Sequence, residues 1–292
     1  MKDEGLLRVV GPVALAAGIV NSVVAAGIFT LPSALARDLG SAAPVAYLAG
    51  AGIMACVTIS FARAGKRVAQ SGGCYAYAEA AFGPFTGYLT GIVLWLSNIL
   101  SSAGISAGLV DVAAIPFPAL SAPRARGAVI VLLYALFAAI NLNGVRAGTR
   151  LAAVAAAVKL GALVVFVLLG ASHVDPGNLA WSAAPALPSV GRGVILAIFA
   201  LSGMEIALGA SGEVRDPAVT IPRALAIAVP AIVLVYLAIQ IVAQGILGSD
   251  LAASPAPLAD ALGRVSASGR SFVVGSAIIS MGGWLASDLL GS

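Results

Sequence analysis

Two ionisable side chains stand inside apolar runs of this sequence: Lys159 in "LAAVAAAVKLGALVVFVLLG" and Glu205 in "GVILAIFALSGMEIALGASGEV". A charged group at the centre of a membrane helix costs about 2.5–3.5 kcal/mol on insertion scales, so one that is kept there usually has a task. The chemistry open to this pair is proton exchange, with Lys159 as a coupling site and Glu205 as a carrier or gate. The alternatives are structural: a snorkelling or Glu-paired lysine, and a protonated glutamate bonding a neighbouring helix. No phosphate-binding loop, HExxH, GxSxG or paired-carboxylate pattern is present. Covalent catalysis and ATP use have no support, so no enzyme activity, cofactor or metal is expected.

A second kind of chemistry needs bare backbone. The stretch "NSVVAAGIFTLP", Asn21 to Pro32, interrupts an apolar run with small residues, a glycine and a proline. Proline removes a donor and weakens the turn before it. A helix opened near Ala25, Ala26 and Gly27 exposes N–H groups at mid-membrane, and the second half-helix points its positive end at them. That is a cradle for a carboxylate. Ser202-Gly203 interrupts another run in the same way, just before Glu205. The alternative for the first stretch is a continuous helix with a small-residue packing face. Asn98 shares a helical stripe with Ser102 and Ser106 and could reach a substrate or a neighbouring helix. Ser276, Ser280, Gly283 and Ser287 align at helical spacing, with Trp284 beside them as a pocket wall or as packing.

The elements that must position these groups are membrane helices. Of 292 residues, 60% are hydrophobic and 10% charged, and the mean hydropathy is +1.04. So little charge cannot cover a water-facing surface, where about 25% is usual. A helix crosses the roughly 30 Å of a bilayer core in about 20 residues. Eight runs meet that length, roughly 9–36, 41–62, 83–110, 127–143, 150–171, 192–211, 222–247 and 270–291. Alternation of the barrel type is missing, so helices are expected throughout, in one transmembrane domain spanning 1–292. The first run is read as a membrane segment and not as a removed signal. The 249–268 loop is expected to hold a short interfacial helix through Leu251, Leu258, Ala261 and Leu262. Cys56 and Cys74 are read as free thiols, one in a span and one in a loop. Basic residues are scattered, which speaks against nucleic acid as a partner. With the N-terminus inside, nine of the 16 basic residues fall on the inner side, six on the outer, and Lys159 within a span. That bias favours a cytoplasmic N-terminus in the cell membrane.

Runs one and six, both interrupted, lie five apart, as in transporters built from inverted five-helix repeats. At this level the residues resemble a known family. "AAGIFTLP" is similar to the first-helix motif of amino acid permeases of the amino acid/polyamine/organocation superfamily. "FALSGMEIALGASGEVRDPAVTIPRAL" resembles their sixth helix and the loop after it, "SGGCYAYAEAAFGPFTGYLTG" the start of their third, and "SMGGW" their eighth. The resemblance implies an all-α membrane protein, a leucine-transporter-type inverted-repeat bundle with about eight helices present of an expected twelve or so. The first repeat is then 9–171 and an incomplete second one 192–291, which leads to the expectation of a C-terminally truncated chain. It further implies an amino acid as substrate. Its carboxylate would sit on Ala25, Ala26 and Gly27, and its amino group near carbonyls of Val23, Phe199 and Ser202. Phe199 would be a lid, and Asn98 and Trp284 side-chain contacts. Lys159 matches a helix-five lysine of proton-coupled symporters, facing helix one and Ser280. Asn98, Glu205 and Trp284 also match arginine/agmatine exchangers. Expected partners are therefore an amino acid, protons and the lipid bilayer. The expected function is proton-coupled symport, with exchange as one alternative and a non-transporting sensor or subunit as another.

Overall fold

In a computed structural model, residues 10–24, 26–68, 72–142, 145–181, 184–208 and 214–291 are described. Among them the chain is built from α-helices and short 3-10 turns, and the β-type pairing is an isolated bridge between Val10 and Val214. The helices are α1 (Pro12–Val23), α2 (Leu31–Leu39), α3 (Ala43–Arg67), α4 (Cys74–Phe82), α5 (Pro84–Ala113), α6 (Pro123–Leu142), α7 (Val145–Ala171), α8 (Leu187–Leu201), α9 (Met204–Leu208), α10 (Pro217–Leu247), α11 (Pro257–Val265) and α12 (Ala267–Gly291). Prolines open α1, α5, α6 and α10, where the missing N–H would have had no partner inside the helix. The first apolar run is thus α1, a 3-10 turn at Ala26–Phe29, and α2; the sixth is α8 and α9.

By length and composition, Leu31–Arg67, Pro84–Ala113 and Pro217–Ala253 qualify as membrane crossings, and Pro12–Val23, Ala156–Ala171 and Leu187–Leu201 are shorter apolar helices. The outer faces are apolar: Ile92, Val93, Leu96 and Leu100 of α5, Val131 and Leu132 of α6, and Val164 and Leu168 of α7 are exposed. Large apolar side chains exposed in such number suit lipid and not water.

The chain divides into two compact units. The first holds Met1–Val24, Pro44–Asn98 and Pro185–Leu237; the second holds Ala25–Ala43, Ile99–Ala184 and Ala238–Ser292. In the first unit, α1 packs on α9, and α3 approaches α8 so closely that a Cβ on Gly50 would stand 2.9 Å from the Ala197 methyl. In the second, α7 and α12 form the main helix pair, flanked by α11 and α6.

The 249–268 segment holds a helix, α11, and Leu258, Ala261 and Leu262 of its apolar stripe are buried, with α12 and α7 packed against it. One sequence expectation changes. Cys74 is not in a loop; it opens α4 after Gly73. Both cysteines are free thiols.

Candidate functional site

The first unit brings two broken helix ends together. At the C-terminus of α1, the Val24 N–H still reaches the Val20 carbonyl at 2.9 Å, but the Val23 carbonyl is released from the helix. At the end of α8, Ser202 turns to extended backbone (ψ 162°), its N–H on the Phe199 carbonyl at 3.2 Å and its Oγ on the Ile198 carbonyl at 2.8 Å. Gly203 follows with φ +116°, a conformation that side chains rarely adopt. A Cβ there would come within 3.2 Å of the Ser22 carbonyl, so the two breaks touch through bare backbone.

Last-turn carbonyls of a helix need partners when buried. Tyr236 of α10 supplies one for both helices. Its hydroxyl lies 3.2 Å from the Val23 carbonyl and 3.2 Å from the Ala200 carbonyl, so one phenolic proton is shared between the two half-helices. Tyr236 is fully buried, and its ring packs on Tyr47 of α3 with centroids 5.7 Å apart. Sequence reasoning missed this residue. It sits in the seventh apolar run, where a tyrosine reads as filler; a phenol in mid-span, which must find a partner, was the available signal.

Glu205, in the first turn of α9, accepts the Gly203 N–H at 3.0 Å. The Glu205 carboxyl group therefore caps the broken end at the start of α9, where an acidic side chain suits a helix N-terminus. Cys74 lies within its field. Burial first, and the Glu205 charge second, push the Cys74 thiol up to about 11. Met204, buried beside the break, takes a contact from Thr58 Oγ1 at 3.6 Å.

The other expected residues are placed as follows. Val23, Ser202 and Glu205 converge in the first unit as described. Phe199 is in the same unit with its side chain 70% exposed. Asn98 is half-buried on α5. Ala25 lies outside the described residues. Ala26 and Gly27 belong to the second unit and open the 3-10 turn at Ala26–Phe29, whose first N–H groups have no partner within the turn. Lys159, on α7, is 2% exposed. One turn further on the same face, Ala162, Leu163 and Phe166 meet Phe29, Leu258, Val273 and Ser276 around a small apolar gap. The face of α7 that carries Lys159 is thus turned toward the 3-10 segment and the serine stripe of α12. Ser280 on that stripe is buried, and its Oγ has no hydrogen-bond partner among the described residues. Trp284 is half-buried one turn beyond. Among the described residues no three His, Cys, Asp or Glu side chains converge as a metal site would require.

Comparison with known proteins gives this geometry a context. A family model described as amino acid permease matches residues 10–287. An uncharacterized transporter of Mycobacterium tuberculosis is 30% identical over 90% of this chain and 60% of its own length. The chloroplastic cationic amino acid transporter 9 of Arabidopsis thaliana is 26% identical over 90% of this chain and 49% of its own. The cadaverine/lysine antiporter of Escherichia coli is 25% identical over 97% of this chain and 64% of its own. The chain spans about 60% of the length of the curated relatives it matches first. With a match that runs from two residues before α1 almost to the end of α12, through both broken helices, this all-α membrane chain belongs to the amino acid permease family.

Proposed function

We propose that this protein acts as a secondary active transporter that moves amino acids across the cell membrane by alternating access, coupled to proton symport. One observation carries the reading: α1 and α8 both break within apolar runs, and the released carbonyls of Val23 and Ala200 share the Tyr236 hydroxyl. Helix breaks at membrane depth are tolerated only where they are buried in protein or line a cavity, and half-helix ends hold charged groups of a zwitterion well. Val23, Phe199 and Ser202 offer carbonyls to the substrate ammonium. The N–H groups of Ala25, Ala26 and Gly27 receive its carboxylate. Asn98 and Trp284 meet its side chain, and Phe199 closes over it.

Proton coupling rests on Lys159, with Ser280 as its hydroxyl neighbour and Glu205 as the gate at the second break. Lys159 is buried, and a charge held there would repel sodium, which leaves protons as the coupling ion. The excess of basic residues on the inner side supports a cytoplasmic N-terminus. A second reading, exchange of one amine for another, is favoured by the similarity to a cadaverine/lysine antiporter.

Reconstitution of the full-length transporter in vesicles separates the readings. Uptake driven by an imposed proton gradient into empty vesicles is the expected result. Uptake that requires a preloaded amino acid or polyamine assigns exchange. A protein that shows neither flux but binds amino acids is a sensor, and the transport reading falls.

A further inference from the structure

One carboxylate on an apolar helix has no part in the function proposed above. Asp288 lies on α12, within an apolar helix where an ionisable group is retained for a reason. Ser102 of α5 donates its hydroxyl to Asp288 Oδ2 at 2.6 Å, a short hydrogen bond. Ser106, one turn further along α5, bonds back to the Ser102 carbonyl at 2.7 Å and meets the Tyr134 hydroxyl of α6 at 3.1 Å. A second point fixes how the two helices run. A Cβ on Gly282 would stand 3.8 Å from Leu109 Cδ1. Residue 102 thus faces 288 while 109 faces 282, so α5 and α12 are antiparallel and in register along this seam. Its apolar part is Leu109 against Gly282, which can slide or rotate. Its polar part is one directional bond, which cannot. Trp284 sits one turn before Asp288 on the same side of α12, between these two points.

We propose that Asp288 is a positioning residue that locks α12 onto α5 through Ser102 and thereby sets the place of Trp284. That Trp284 walls the substrate pocket rests on the function proposed above; the lock itself does not. Asp288 touches no substrate. It acts by denying α12 the small rotation that would swing the indole away.

The test uses the tryptophan itself. The chain has three, and Trp95 and Trp181 are exposed, so Trp95→Phe with Trp181→Phe leaves Trp284 as its one reporter. In that background, Asp288→Ala and Ser102→Ala should shift the Trp284 emission to the red by the same amount, and the double variant should shift it no further. Asp288→Asn keeps an acceptor for Ser102 and should hold the original emission. Substrate affinity should fall by up to about tenfold in the two alanine variants, the ceiling set by the net worth of one hydrogen bond, with the asparagine variant close to the parent. If Asp288→Ala fails to fold, Ser102→Ala still reads the lock, because it removes one oxygen atom. Unchanged emission in Ser102→Ala, or additive shifts in the double variant, would overturn the proposal. A parent protein that binds no amino acid would overturn the proposed function and leave the emission test standing.

Discussion

Tyr236 is the residue on which the two broken helices depend most directly. Tyr236→Phe keeps the ring against Tyr47 and removes one hydroxyl, so the Val23 and Ala200 carbonyls lose their shared donor. A buried acceptor left without a partner costs about 1–3 kcal/mol, and we expect that loss in thermal stability together with weaker substrate binding. Equal melting temperatures and equal affinities would show that the carbonyls find other donors. Lys159→Ala should abolish the pH dependence of uptake while some substrate binding remains, measured as uptake across a series of imposed gradients. Proton-driven accumulation at the parent level would remove Lys159 from the coupling step. At Cys74 the thiol is held at about 11 against an ordinary value of 9.0. Its reactive thiolate is therefore about a hundredfold scarcer at pH 8, and in Cys56→Ser protein its alkylation rate should still climb tenfold per pH unit past pH 9. A plateau near pH 9 would contradict the half-buried setting beside Glu205.

The two broken ends meet because their helices stop where they do. α8 ends at Leu201 since Ser202 bonds its own preceding turn and Gly203 takes a positive φ. Gly203→Ala would force a side chain into that conformation and against the Ser22 carbonyl, so we expect a destabilisation of about 1–3 kcal/mol, seen as a lower melting temperature. Gly27 gives the opposite contrast. A Cβ there meets nothing within 4 Å, so Gly27→Val should leave folding intact while blocking the approach of a carboxylate. Parent-level affinity in Gly27→Val protein would dismiss the cradle. The sequence signals for both breaks were local ones, a proline and glycines within apolar runs, and local signals are what a sequence shows well. The partner of the breaks was not local. Val23, Ala200 and Tyr236 are separated by more than thirty residues at each step, and no spacing rule connects them. α11 makes the same point: its apolar stripe was legible in the sequence, but that α12 and α7 would cover it was a tertiary matter.

At the scale of the whole chain, composition settled the solvent. A chain with 10% charge and long apolar runs has to place its surface in lipid, and lipid admits helices or closed barrels. Class, helical content and family were therefore present in the residues themselves, because each follows from hydropathy, run length and short motifs that act over one or two turns. The tertiary structure decided what faces what. It alone joined the ends of α1 and α8 under one phenol, turned Glu205 onto the Gly203 amide, buried Lys159 on the face that looks toward the 3-10 turn, and linked Ser102 to Asp288. Those pairings are set by packing between distant segments, where a single hydrogen bond selects among many sterically allowed neighbours, and that selection is not encoded in any one stretch of the chain.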